Sequence, residues 1–135
     1  MSMSKTRILS LTLALIAGSI TVSPLAAAEQ ALKRTDLVKG DVDAAGYEVV
    51  QVLVGFAPGQ TAGSHHHPGV EIAHVTKGTL EYSLQGKAPV IVKTGQSLYI
   101  PSGVVHSVRN VGDGEATELA TYIVRKGETL LVPVK

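Results

Sequence analysis

From Tyr47 onward the chain is a series of short apolar runs, each cut off by a turn signal after about eight to twelve residues. Tyr47 to Phe56 reads YEVVQVLVGF, a valine-rich run long enough for a strand buried on most of both faces, and Ala57-Pro58-Gly59 ends it. Thr79 to Leu84 alternates as TLEYSL, Gln85-Gly86-Lys87 turns, and Pro89 to Val92 answers as PVIV, which predicts a hairpin. Lys93-Thr94-Gly95 leads into SLYI, stopped by Pro101-Ser102-Gly103, and Val104 to Arg109 follows. Val111-Gly112-Asp113-Gly114 reads as a hairpin turn into a largely apolar strand, Ala116 to Val124, and Thr129 to Val134 is a last short run. Residues 29 to 46 form a polar leading segment in which Thr35-Asp36 caps a brief turn. No amphipathic helical period interrupts this series, so the fold class is all-β, a sandwich or a barrel. The hairpin pattern alone does not choose between an immunoglobulin-like sandwich and a jelly roll.

The histidines narrow the choice. The chain has five, and three of them stand together in the stretch PGQTAGSHHHPGVEIAHVTKG, Pro58 to Gly78. Two residues apart on an extended strand, His65 and His67 project from one face, and His66 from the other. Pro68-Gly69 ends that strand, and Glu71 opens the next apolar run, Ile72 to Val75. A strand near Val104 places His106, Val108 and Asn110 on one face. Imidazoles and a carboxylate converging from neighbouring strands make a divalent-metal site, which requires His65, His67, Glu71 and His106 to share one cavity. His66 and His74 are out of phase with that set and are expected to serve other purposes. A solvated histidine run would not account for Glu71 and the glycines at these spacings.

At these residues the chain resembles the cupins. The first stretch reads G-x5-H-x-H-x3-E-x6-G through Gly59, His65, His67, Glu71 and Gly78. The second reads G-x5-P-x-G-x2-H-x3-N through Gly95, Pro101, Gly103, His106 and Asn110, and only Thr79 to Thr94 separates the two. Both cupin motifs are complete. The resemblance implies the cupin double-stranded β-helix, a small jelly-roll barrel whose core covers about residues 47 to 126 of a single domain, 29 to 135. The segments GYEVV, APG, HPG and LATYIV also look like small exported bacterial cupins of the quercetin-dioxygenase-like kind.

Lys5 and Arg7, the apolar stretch from Ile8 to Ile20, Pro24 and the small residues Ala26-Ala27-Ala28 form the pattern of a cleavable secretory signal peptide over residues 1–28, which predicts an exported, periplasmic or secreted protein. The apolar stretch is short for a membrane span. Without Lys5 and Arg7, twelve basic residues fall to ten against eleven acidic ones, a net charge of −1. That balance, with no block of one sign, excludes an electrostatic surface for nucleic acid or anionic lipid. With no cysteine, neither disulfides nor thiolate ligands contribute. The valine-rich strands offer more apolar surface than so small a barrel encloses, and cupins commonly pair by sheet extension, so a homodimer through outer strands is expected.

One divalent metal per chain is expected. The ligand types permit Fe, Mn, Ni, Co, Cu or Zn, and the resemblance favours Fe or Mn. Ala73, Val75 and Val108 share faces with the ligands, and Tyr82, Tyr99, Tyr122 and Gln51 are candidates to line the site. No further carboxylate is evident beside the ligands, and Glu81 is read as solvated. An apolar pocket around a redox metal suits dioxygenase chemistry on a small enol, diketone or phenolic compound, with Glu71 as both ligand and base. A metal-dependent isomerase, cyclase or decarboxylase, or a non-enzymatic metal- or ligand-binding module, would use the same shell.

Overall fold

The computed structural model describes residues 31–135, and the expected signal peptide over residues 1–28 lies outside them. The described residues form ten strands: β1 (Lys33–Asp41), β2 (Tyr47–Phe56), β3 (Thr61–His66), β4 (Gly69–Lys77), β5 (Thr79–Leu84), β6 (Val90–Lys93), β7 (Ser97–Ile100), β8 (His106–Asn110), β9 (Ala116–Arg125) and β10 (Val132–Pro133). They build two antiparallel sheets, in the orders β1-β2-β9-β4-β7 and β10-β3-β8-β5-β6. Only the β1–β2 and β5–β6 links stay within one sheet, and every other link crosses to the facing sheet. This shuttling makes the molecule a small jelly roll, as the resemblance implied. Among the described residues no helix is long and apolar enough to cross a membrane.

The period-two pattern sets the register of both sheets. On β2, Val52, Val54 and Phe56 are buried, while the alternate residues are half-covered, so one face is sealed rather than both. On β9 the inward set is Ala116, Glu118, Ala120, Tyr122 and Val124, and on β4 it is Gly69, Glu71, Ala73 and Val75. The facing sheet contributes Leu80, Tyr82 and Leu84 from β5 and His106, Val108 and Asn110 from β8. A one-residue slip of β2 would expose Val52, Val54 and Phe56 at about 1.5–3 kcal/mol each, so its register is strongly held. Gly78 closes the link between β4 and β5 at φ +77°, and a Cβ there would stand 2.8 Å from Ala116 Cβ, so only glycine fits.

Three further expectations need correction. Residues 33–41 are a strand, not a polar turn, because β1 pairs with β2 along nearly its whole length, with a bulge between Asp36 and Val38. Residues 111–114 do not close a hairpin, because β8 and β9 belong to opposite sheets and the segment carries the chain across the barrel end. In the last run only Val132 and Pro133 pair, against His66 and His65 of β3.

Candidate metal centre

Each of the four predicted residues is buried, and each comes from a different position in the weave. His65 lies on β3 directly opposite His106 on β8. His67 follows the end of β3 in the link to β4, and its carbonyl accepts a hydrogen bond from Gly103 N at 3.1 Å. Glu71 sits on β4 opposite Tyr122 on β9. The imidazole centroids of His65, His67 and His106 are 4.4–5.2 Å apart, and one nitrogen from each ring lies within 4.8 Å of the others.

The second nitrogen of each ring settles how the first is presented. Nδ1 of His65 donates to Gly63 O at 2.6 Å, Nδ1 of His67 to Leu130 O at 2.6 Å, and Nδ1 of His106 to Val104 O at 2.9 Å. A carbonyl can only accept, so Nδ1 carries the proton in each neutral ring and Nε2 keeps its lone pair. Glu71 Oε2 stands 3.0 Å from His67 Nε2 and 3.2 Å from His106 Nε2. Neither contact has the direction of a hydrogen bond, so all three buried atoms lack a partner. Two ligand atoms bound at a right angle, each about 2.1 Å from one ion, are about 3.0 Å apart. The three imidazoles therefore fit a divalent cation, Glu71 lies beside two of them, and an ion at this point would satisfy the unpartnered atoms.

The electrostatics point the same way. Burial holds His65 down, from 6.5 to about 4, so its ring is neutral and ready to ligate. Burial alone would raise Glu71, but the close His106 and His67 rings outweigh it and hold the carboxyl well below its usual range. Burial would likewise lower His106, and contact with Glu71 reverses that.

The surroundings differ from expectation in one important respect. Glu118, on the inward face of β9, is 3% exposed, and its carboxyl interacts with the Glu71 and Tyr82 side chains. Burial and then the charge of Glu71 push it well above the usual carboxylate range. A second carboxylate thus does stand beside the ligands. Strict alternation from Ala116 through Ala120 to Tyr122 puts position 118 in phase with the core, and that parity is the signal that identifies it. Tyr82 and Tyr122 are inward as well, with hydroxyls pushed upward by burial, and the Tyr122 ring lies 4.6 Å from that of His67. Tyr99 and Gln51 do not line the site: Tyr99 is 59% exposed, and Gln51 donates to Thr121 Oγ1 on the outer side of its sheet. His74 pairs with Ser97 Oγ at 2.8 Å on the surface, and His66 is half-buried outside the imidazole group.

The enclosed space among His65, Glu71, His106, Glu118 and Tyr122 is about 20 Å³, enough for one ion or one water. It adjoins a groove of about 330 Å³ and shares Leu32, Ala62, His65 and Leu131 with it.

Known proteins carry related sequence and structure. Protein SchB of Streptomyces halstedii is 43% identical over 60 residues, 44% of this chain and 43% of that protein. Germin-like protein 3-3 of Oryza sativa subsp. japonica is 30% identical over 107 residues, 69% of this chain and 47% of that protein. A solved oxalate oxidase in complex with the substrate analogue glycolate superposes with a TM-score of 0.58 at 32% identity, covering 64% of this chain and 46% of that one. The chain thus spans less than half the length of each of these relatives. The family model for the Cupin domain matches residues 52–122, from β2 to Tyr122 on β9, taking in both histidine motifs and more than half of the sequence. The chain belongs to the cupin family.

Proposed function

We propose that the chain binds one divalent metal, Fe or Mn in preference to Ni, Cu, Co or Zn, through His65, His67, His106 and Glu71, and acts as an oxygen-dependent oxidoreductase on a small metal-chelating compound. The observation that carries this reading is the set of Nε2 lone pairs turned toward one another, each ring fixed by a carbonyl at Nδ1. Relatedness to an oxalate oxidase supports redox chemistry over hydrolysis. A divalent metal held by these residues would supply a Lewis-acidic, redox-active centre for chemistry on a chelating compound. Glu71, held ionised, is placed to accept a proton from the bound compound. Glu118, pushed well above the usual carboxylate range by burial and by the charge of Glu71, is a further group able to hold a proton in the same cavity. Val54, Phe56 and Val108, buried apolar residues that line the cavity, keep bulk water from that exchange.

The protein is proposed to work as an exported homodimer. Support for the dimer comes from apolar side chains exposed on edge strands, Leu37 and Val38 on β1 and Val90 and Ile91 on β6. A monomer mass by light scattering at micromolar concentration would refute it. The enzymatic reading is tested by oxygen uptake from protein loaded in turn with Fe(II), Mn(II) and Zn(II), using glycolate, oxalate, acetylacetone and catechol. Uptake with Fe(II) or Mn(II) and none with Zn(II) is expected. One bound metal without oxygen uptake under any condition would make the chain a Lewis-acid enzyme or a binding module instead.

A further inference from the structure

The proposed site has an unassigned cation at its edge. Arg34 on β1 is the register partner of Val54, which is 2% exposed, so the two side chains share the inward face of the sheet. Val54 in turn faces Glu118 across β2 and β9. Arg34, Val54 and Glu118 thus form one row running from the sheet edge to the metal cluster. Arg34 also lines the cavity that holds His65, Glu71 and His106, and its side chain reaches that of Tyr122, whose ring packs on His67. Of the residues that line the cavity only Leu32, Arg34, Ala62 and Leu131 are not buried, and Arg34 is the one charged residue among these four. Among the described residues no carboxylate lies within ion-pair distance of its guanidinium, although its charge acts on Glu118 at the other end of the row.

An arginine that lines a metal cavity, touches a tyrosine and has no carboxylate within ion-pair distance keeps more donors than that one contact uses. We infer that Arg34 is the anchor for the carboxylate of a small organic acid whose other oxygen atom reaches the metal, so that the site selects chelating carboxylates over neutral diketones and phenols. The enclosed space of about 20 Å³ admits only the chelating end of such a ligand, and any organic remainder must extend into the adjoining groove past Leu32, Ala62 and Leu131. A planar guanidinium can meet a carboxylate with two parallel hydrogen bonds, which a lysine cannot reproduce. The inference rests on the metal reading above and narrows its substrate class.

The test uses Mn(II)-loaded full-length protein and two probes, glycolate as the acid and acetylacetone as a chelator that carries no carboxylate and binds as its enolate, with binding read from the Mn(II) electron paramagnetic resonance spectrum. Arg34→Gln should retain one Mn(II) per chain and bind glycolate about tenfold to a hundredfold more weakly, the range for loss of a charge-assisted hydrogen bond. Arg34→Lys should fall between wild type and Arg34→Gln, and acetylacetone binding should change by less than about twofold in either variant. Arg34 stands on an exposed edge strand, so both variants are expected to fold. Equal glycolate affinity in wild type and Arg34→Gln, with one Mn(II) in each, overturns the anchor while leaving the metal reading intact. A wild-type chain that takes up no Mn(II) overturns both.

Discussion

Replacing Asn110 isolates the fastening that holds the His106 strand in place. The side chain is 1% exposed, and its Nδ2 donates to Phe56 O at 3.1 Å, Ala57 O at 3.1 Å and Gly114 O at 2.8 Å. Its Oδ1 accepts from Gly112 N at 2.9 Å. Two amide hydrogens are shared among three carbonyls and Oδ1 accepts one bond, so Asn110→Ala removes the equivalent of about three full hydrogen bonds, each worth about 1 kcal/mol net. The small cavity left behind brings the expected loss to about 3–4 kcal/mol, a large part of a typical stability of about 5–15 kcal/mol. Asn110→Asp has nearly the same shape but faces the three carbonyls with an acceptor. At pH 7.5 it should be less stable than Asn110→Ala, because it also buries a charge. Its folded-state pKa must then lie above the unfolded value of about 3.9, so its stability falls as pH rises through that range and recovers on acidification. Urea unfolding of the three proteins at pH 7.5 and pH 4.5 measures these differences. An Asn110→Ala protein within about 1 kcal/mol of wild type, or an aspartate variant more stable than the alanine one at pH 7.5, would show that water replaces these bonds freely and that the reasoning is wrong.

The histidine run yields a paired comparison: His67→Ala should lower Mn(II) affinity by more than the roughly 10–100-fold typical of losing a supporting residue, whereas His66→Ala should leave one site per chain. Equal losses in a metal titration would mean that the inward pair has been misassigned. Gly69→Ala should destabilise the fold by at least about 1–3 kcal/mol, because the added Cβ would overlap Ile123 O and stand 2.6 Å from Val124 Cα, both in the backbone of β9; an unchanged urea midpoint would contradict this. In metal-free protein His65 is held down from 6.5 to about 4, so between those values the unfolded chain binds a proton that the folded chain does not. Wild type should therefore lose stability relative to His65→Gln as pH falls from about 6.5 to about 4, and a constant difference across that window would count against a buried neutral ring.

The gathering of His65, His67 and His106, with Glu71 beside two of them, was legible because these residues combine two signals, motif spacing and strand parity, and parity survives folding whenever one face of a strand is sealed. Glu118 carries the parity signal alone. It lies in a run read by its apolar content, and only its phase with Ala116, Ala120 and Tyr122 distinguishes an inward glutamate from a solvated one such as Glu81. β1 has neither signal. Lys33 to Asp41 is charged, contains Gly40, and has only Leu37 and Val38 as large apolar residues; it is a strand because the edge of β2 offers backbone partners to it. Arg34 was missed with its strand. The segment from Val111 to Gly114 carries turn chemistry that fits a hairpin and a crossing between sheets equally well, and the choice depends on which sheet receives β9, a tertiary matter that local sequence does not encode.

Metal content tests the central claim most directly. Protein stripped of metal and then titrated anaerobically with Mn(II) or Fe(II) should take up one ion per chain by elemental analysis, and the variant His65→Ala/His106→Ala should take up none at the same free concentration while remaining folded. A wild-type chain that retains no ion after desalting, or a double variant that keeps a full equivalent, would contradict the assignment of His65, His67, His106 and Glu71 as the metal shell.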